Sequence, residues 1–181
     1  MSKMNVTVVE YNLKWPEMFQ HETKLIANVL GDNLINIFHY GSTSVPGLKA
    51  KPIIDIMPVV RDLEMVNSYR EAFGDIGYSI FGESGVPGRI YMEKGGAYRT
   101  HHISAFQYDD AKNIINSLAL RDYLRCHPDV CAEYGEIKSR IAYKYPTDYK
   151  SYCESKSVIM EKIVRDAWLW YWEALPIFSC F

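Results

Sequence analysis

The chain has 181 residues, with 22 acidic and 20 basic side chains, a net charge of −2, 48% hydrophobic residues and 4 cysteines. That is enough chain for one domain with a real core, and the composition excludes disorder, a collagen-like repeat or a disulfide scaffold. A protein living on nonspecific phosphate contacts is more basic than this, so nucleic acid is disfavoured as a partner, while a local basic pocket stays compatible with the total. No apolar run reaches the ~20 residues of a membrane span, and the first fifteen residues lack the pattern of an export signal. The expectation is therefore a cytoplasmic protein, away from the membrane, with reduced thiols at Cys126, Cys131, Cys153 and Cys180. Cys126 and Cys131 flank His127, but the spacing suits no zinc pattern and packing between helices is the simpler reading.

Val6 to Val9 alternates weakly and reads as a short strand. Trp15-Pro16 opens a helix, since proline fits the first helical turn. Phe19, Leu25, Ile26, Val29 and Leu30 mark its buried face, and Gly31 ends it. Ile35 to Tyr40 is a strand, and Gly41 to Pro52 a loop rich in Gly, Ser, Pro and Lys. Ile53 to Val60 is apolar on both faces, which predicts a central buried strand interrupted only by Asp55. Asp62 caps a helix running to Phe73, with Gly74 at its end. Strands follow at Tyr78 to Phe81, Arg89 to Glu93 and Thr100 to Phe106, with turn chemistry at Lys94-Gly95-Gly96.

From about Lys112 the chain is helical. One helix ends at His127-Pro128. The next carries Val130, Tyr134, Ile137 and Ile141 on one stripe, and Pro146 breaks it. Thr147 or Asp148 caps a last helix with Tyr152, Lys156, Ile159, Ile163, Ala167 and Trp170 on one side. The order predicts an α+β (mixed α/β) fold. A single domain over 1–181 has a sheet-containing core at 5–110 and a C-terminal helical layer at 111–175.

The most informative segment is His39-Tyr40-Gly41-Ser42-Thr43-Ser44-Val45-Pro46-Gly47-Leu48-Lys49-Ala50-Lys51-Pro52-Ile53-Ile54-Asp55. A strand runs into Gly-Ser, a short loop follows, and the next strand buries a carboxylate among aliphatics. Gly41 permits close backbone approach, and Ser42, Thr43 and Ser44 offer donors to a phosphate. Asp55 needs a cation, a metal or several donors to stay ionised there. Lys49 and Lys51 could supply counter-charge. A plain turn, with Asp55 tied to backbone N–H groups, remains open as the alternative.

This segment resembles the signature of the GrpB family, close to H-x-GSTSVPGLxAKPIIDI. The likeness extends to Tyr11-Asn12 with Trp15-Pro16, to Thr100-His101-His102-Ile103, and to Arg121-Asp122-Tyr123-Leu124-Arg125 with His127-Pro128. Tyr134 with Lys138, and Tyr152 with Lys156-Ser157, fall on the family's helical pattern. It covers roughly residues 5 to 165. The resemblance implies a nucleotidyltransferase-like mixed sheet backed by helices. In that superfamily a Gly-Ser pair ends one strand, and two or three carboxylates on later strands hold divalent metals that bridge nucleotide phosphates. It also covers chains fused to a coenzyme A biosynthesis kinase, a hint of nucleotide metabolism.

The chain departs from that scheme at Met57, where a second carboxylate would share a face with Asp55 and where a thioether has no use for a hard cation. Glu93 is the remaining candidate for a third acid. His101 and His102 stand on opposite faces by strand alternation, and His102 is in phase with Ser104, where the family commonly has another His. Asp55 and His102 are thus the expected catalytic and metal-ligating pair, for Mg²⁺ or Mn²⁺, or Zn²⁺, or else a general base and its partner. His39 reads either as functional or as a ring packed under the loop. Gly41, Ser42, Thr43, Ser44, Lys51, Arg121 and Lys156 are the expected phosphate or nucleotide contacts. Arg121 and Arg125 lie one turn apart, and either meet an anion or pair with Asp122 or Glu133. Lys156 and Lys138 sit on buried stripes and need an acidic partner, which points them toward a pocket.

Two functions follow. One is transfer of a nucleotidyl group to a small acceptor through a metal-assisted site. The other is a nucleotide- or anionic-metabolite-binding module without catalysis, which Met57 favours. The run Trp168, Trp170, Trp172 fans around its helix and suggests a third role in association, such as a homodimer.

Overall fold

The computed structural model describes residues 6–174. Cys180, the FSCF end and the first five residues of the amino-terminal stretch read for an export signal lie outside them. Helix α1 (Trp15–Leu30) precedes strand β1 (Leu34–Tyr40) and β2 (Ile54–Val60). Two short helices, α2 (Met65–Ser68) and α3 (Arg70–Asp75), lead to β3 (Tyr78–Ile80), β4 (Arg89–Lys94) and β5 (His101–Gln107). Three longer helices follow: α4 (Ala111–Cys126), α5 (Pro128–Lys144) and α6 (Tyr149–Ala174). The strands form one mixed sheet in the order β1-β2-β5-β4-β3, in which only the β2–β5 pair is parallel.

Strand alternation divides the chemistry between two faces. Ile54, Ile56 and Val60 of β2, Ile103 and Ala105 of β5, and Ile90 and Met92 of β4 pack with Trp15, Ile26, Leu30 and Phe73 in the main core. The intervening residues Asp55, His102, Ser104, Arg89, Tyr91 and Glu93 face the other way and line a cleft. The carboxy-terminal helices cover that side. Tyr123, Leu124, Cys131, Tyr134, Ile163 and Ala167 join Val45 and Leu48 in a second core that clasps the loop after β1. The expected α+β architecture and the buried, central β2 are both present. Pro58 lies inside β2, and the parallel ladder to β5 skips Met57 and Pro58 between Ile56 and Val59, as a residue without an N–H requires.

Several local expectations change. Val6 to Val9 is not a strand; it holds only an isolated antiparallel bridge from Val9 to Ala50. Without a continuous neighbour its alternation has no ladder to join. The helix expected from Asp62 to Phe73 breaks at Tyr69 into α2 and α3. Asp62 still accepts from the N–H groups of Glu64 and Met65 at 2.9 and 3.2 Å. Gly74 lies inside α3, and the left-handed turn is made by Gly77. Ser42–Ser44 is a 3₁₀ turn within the expected loop. Asp148, not Thr147, caps α6 through the N–H of Ser151 at 3.0 Å.

On the α1 stripe the surprise is Glu22, buried between two apolar turns. It accepts from Nζ of Lys94 at 2.7 Å, and Nε2 of His101 stands 3.9 Å away. A buried carboxylate needs such a partner. This places His101 on the core face, opposite His102, as alternation required. At the other end, Trp170 packs edge-on to Tyr123 and His127, while Trp168 stacks on Trp172 and donates to Asn116 of α4. Trp172 and Leu169 are exposed. Cys126 is exposed and Cys131 buried in the second core, and the Nδ1 of His127 lies 2.8 Å from the carbonyl of Tyr123. The three are placed as packing and surface groups.

Candidate functional site

Strand register assembles the floor of the cleft. Tyr40 of β1 pairs with Asp55 of β2, Asp55 with His102 of β5, and His102 with Glu93 of β4. These four side chains form one rung across four strands. Nδ1 of His102 stands 3.5 Å from Oδ1 of Asp55. Nε2 of His102 is buried without a hydrogen-bond partner among the described residues. Tyr40 donates its hydroxyl to Oγ of Ser104 at 2.8 Å, on the next rung. Tyr91 donates to Glu93 at 3.0 Å, and Arg99 pairs with the other oxygen of that carboxylate at 2.9 Å.

Gly41 turns the chain out of β1 with φ 66° and ψ −171°, a conformation open in practice only to glycine. A Cβ there would lie 2.9 Å from Cγ of Asp55 and closer still to Oδ2. The carboxylate is thus seated directly on the Gly41 backbone. Behind the turn, His39 is stacked on Phe19 at 4.7 Å and its Nε2 is 3.0 Å from the hydroxyl of Thr43. Burial drops its pKa from 6.5 to about 4, with the guanidinium groups of Arg125 and Arg121 adding to the shift against the pull of Asp55. His39 is therefore a neutral ring under the loop.

The folded state refuses a proton that the unfolded chain takes up below pH 6.5, so stability falls as pH drops from 6.5 toward 4. The linkage amounts to roughly 3 kcal/mol across that window. Urea unfolding at pH 7, 5.5 and 4.5 is expected to show a steeper acid loss in the native protein than in His39→Gln. Parallel losses in the two would remove His39 as the cause.

The cleft encloses about 490 Å³. Five cationic side chains line it, Lys51, Arg89, Arg99, Lys138 and Lys156, against two carboxylates, Asp55 and Glu93. Lys138 is only 2% exposed. Its Nζ donates to Oγ of Ser42 at 2.9 Å and lies 4.5 Å from the centre of the Tyr134 ring. Burial and the nearby ammonium groups of Lys156 and Lys51 lower its pKa to about 7, against weaker support from Cys131 and Asp55. Lys51 is also lowered, by burial first and Lys156 second. Its Nζ sits 4.4 Å over the ring of Tyr149. The alkaline shift of the Tyr40 hydroxyl, caused by burial and then by Asp55, keeps that group a neutral donor.

The structure brings Ser42, Thr43, Lys51, Asp55, His102 and Lys156 together on the cleft wall. Gly41 and Arg121 line an adjoining cavity of about 230 Å³ that shares Tyr40, Ser42, Asp55 and Lys156 with the first. Arg121 is occupied twice, by Asp122 at 2.7 Å and by the carbonyl of His39 at 3.1 Å. Ser44 turns away. Its hydroxyl donates to the carbonyl of Gly41 at 2.6 Å, and its own carbonyl accepts from Arg125 at 2.7 Å. Arg121 and Arg125 thus hold the loop by its backbone instead of presenting free charge to the main cleft.

Arg89, Arg99, Tyr149 and Tyr91 were missed by sequence reasoning. The alternation Arg89-Ile90-Tyr91-Met92-Glu93 carried a readable signal for one polar face; Arg99 and Tyr149 lie in no pattern that points inward.

A pair of hard cations does not suit this donor set. Met57, two residues along β2 from Asp55, is fully buried and does not line the cleft. Glu93 is engaged by Arg99 and Tyr91. Among the described residues no three His, Cys, Asp or Glu side chains stand close enough to share an ion. Nor, among them, is any helix long and apolar enough to cross a membrane.

Comparison with known proteins agrees with the fold. A family model described as GrpB protein matches residues 5–166. The UPF0157 protein YqkA of Bacillus subtilis is 38% identical over 168 residues, which cover 93% of this chain and 49% of that protein, so the chain spans about half the length of this relative. The crystal structure of conserved protein GrpB from Enterococcus faecalis superposes with a TM-score of 0.89 at 38% identity, covering 92% of this chain and 99% of that one. Terminal uridylyl transferase 4 from Trypanosoma brucei with bound CTP gives a TM-score of 0.51 at 15% identity, covering 89% of this chain and 53% of that one. That likeness is one of fold, and it makes the sheet with its helical cover nucleotidyltransferase-like. With the motif from His39 to Asp55 built into such a fold and the family model spanning most of its length, the chain belongs to the GrpB protein family.

Proposed function

We propose that this protein binds a phosphate-bearing small molecule, a nucleotide or another anionic metabolite, in the cleft above Asp55 and His102. The observation that carries this reading is Lys138, an ammonium buried on α5 and held by Ser42 where, among the described residues, no carboxylate pairs with it. A buried lysine without a partner is costly. A site that keeps one beside Lys51 and Lys156 is arranged for an anion that arrives from outside. Phosphate oxygens would meet the Ser42 hydroxyl and these three lysines, while Tyr149 and Tyr91 offer ring faces beside them.

Isothermal titration with ATP, CTP, GTP and UTP, with and without Mg²⁺ or Mn²⁺, tests the reading. Saturable binding of at least one nucleotide, weakened tenfold or more in Lys51→Met, is expected. No heat with any of them, nor with inorganic phosphate or pyrophosphate, would refute it.

The rung Asp55–His102 favours a second reading, nucleotidyl transfer to a small acceptor. Asp55, with His102 beside it, would take the proton of an acceptor hydroxyl. The freed oxygen would attack the α-phosphorus, and pyrophosphate would leave. Turnover that survives intact in Asp55→Asn would end this reading and leave the binding module standing.

A further inference from the structure

Resting on the reading of the cleft as a phosphate site, we infer that its lysines stand in for the magnesium ion, so that the ligand is a polyphosphate taken as the free anion and not as its Mg²⁺ complex. The inference comes from how the carboxylates are used. A Mg²⁺-borne polyphosphate needs free oxygen ligands from the protein, commonly one or two carboxylates. Of the two acids in this cleft, Glu93 is bound by Arg99 at 2.9 Å and by the Tyr91 hydroxyl at 3.0 Å. Asp55 is seated on Gly41 with Nδ1 of His102 3.5 Å from it. The position two residues on, which would aim a second carboxylate at the same ion, is the fully buried Met57.

Opposed to these two acids, of which Glu93 is already bound and Asp55 stands without a second carboxylate, are cations from separate elements: Lys51 before β2, Lys138 on α5, Lys156 on α6, Arg89 on β4 and Arg99 after it. Lys51 and Lys138 hold their protons less tightly than a free lysine, first because they are buried and second because the Lys156 ammonium repels both. A polyphosphate brings the negative charge that relieves this repulsion. Complexation with Mg²⁺ removes two of its charges and sets a hydrated dication among like charges, with Asp55 alone of the cleft's two acids left to receive it. The metal and the lysines are alternative neutralisers of one anion, and the fold supplies the lysines.

The test is ATP binding, by titration at matched ionic strength, first in EDTA and then with Mg²⁺ in enough excess to convert nearly all the nucleotide to its complex. Inorganic pyrophosphate serves as a second probe lacking a base. Tighter binding in EDTA, by about tenfold or more for both probes, is expected, and Mg²⁺ added to the preformed complex should release the ligand. Equal or tighter binding with Mg²⁺ would overturn the inference while leaving the phosphate site intact. Absence of binding by either probe in both conditions would instead overturn the reading of the cleft.

Lys156→Met, a change at a half-buried position, ties the preference to the site: the ratio between EDTA and Mg²⁺ should shrink. An unchanged ratio in both Lys156→Met and Lys51→Met would overturn the inference by showing that the preference arises elsewhere.

Discussion

Replacement of Lys138 by Met is expected to make the ligand-free protein more stable and to remove phosphate-ligand binding in the same step. The native ammonium has an ordinary pKa of 10.5, brought to about 7 by burial and by the neighbouring lysines. The sign follows from linkage. Between pH 10.5 and 7 the unfolded chain holds a proton that the folded chain gives up more readily, so stability is greatest above 10.5 and declines as pH falls toward 7. The full displacement corresponds to as much as about 4–5 kcal/mol, and relaxation around the site reduces what is recovered on mutation. A methionine of similar length, packed against Tyr134, should return about 2 kcal/mol, seen as a higher urea midpoint at pH 7.

The Met variant has no proton to hold and no donor for Ser42, so nucleotide or pyrophosphate heats should disappear. The native protein should also take up protons when it binds an anion above pH 7, because the incoming charge raises the lysine's pKa. Titration in two buffers of different ionisation enthalpy measures that uptake directly. A Lys138→Met protein that is less stable than the native one, and that still binds, would show Lys138 to be a structural strut.

The second large effect is expected at Gly41. Its φ of 66° with ψ near 180° is a glycine conformation, and a Cβ would enter the Asp55 carboxylate. Gly41→Ala combines backbone strain with overpacking and should cost about 3 kcal/mol. Relief of the clash would move either Asp55 off the rung or Ser42 off Lys138, so ligand binding should fall with stability. A double-mutant cycle separates the two causes. Asp55→Ala in the Gly41→Ala background should recover the steric part, leaving about 1–2 kcal/mol of backbone strain. If the two changes add without coupling, the carboxylate does not rest on the glycine.

The same two residues show how far local reading reaches. Glycine followed by serine at the end of a β-rich run, then an acid inside an apolar strand, is a local pattern. Its reading as a close turn with donors for a phosphate, followed by a strand acid, agrees with Ser42 and Asp55 lying on one cleft wall. The opposed directions of His101 and His102 were equally legible, since adjacent strand residues point to opposite faces. Lys138 and Lys156 were marked by their places on buried helical stripes, although the reason they are tolerated there was not. Arg121 was read as meeting an anion or pairing with Asp122 or Glu133, and the structure pairs it with Asp122 and, unforeseen, with the His39 carbonyl. A guanidinium with five donors satisfies the nearest acceptors, and sequence spacing does not show which those are. The Val6–Val9 segment failed differently: its alternation was real, but pairing depends on a neighbour that offers only one bridge.

The order of β1 to β5 and of the four long helices, the interior position of β2, the buried faces of α1 and α6 and the glycine-serine turn rest on periodicities and conformational preferences that act over a few residues, and the amino-acid sequence alone determined them. The surplus of positive charge in the cleft did not come from any such pattern. Lys51, Arg89, Arg99, Lys138 and Lys156 are scattered over more than a hundred positions in a chain whose net charge is −2. Only the crossing of β5 beside β2, and the folding of α5 and α6 back over the sheet, set them around one hollow. Electrostatic interaction depends on distance in space, and that distance is a property of the tertiary structure.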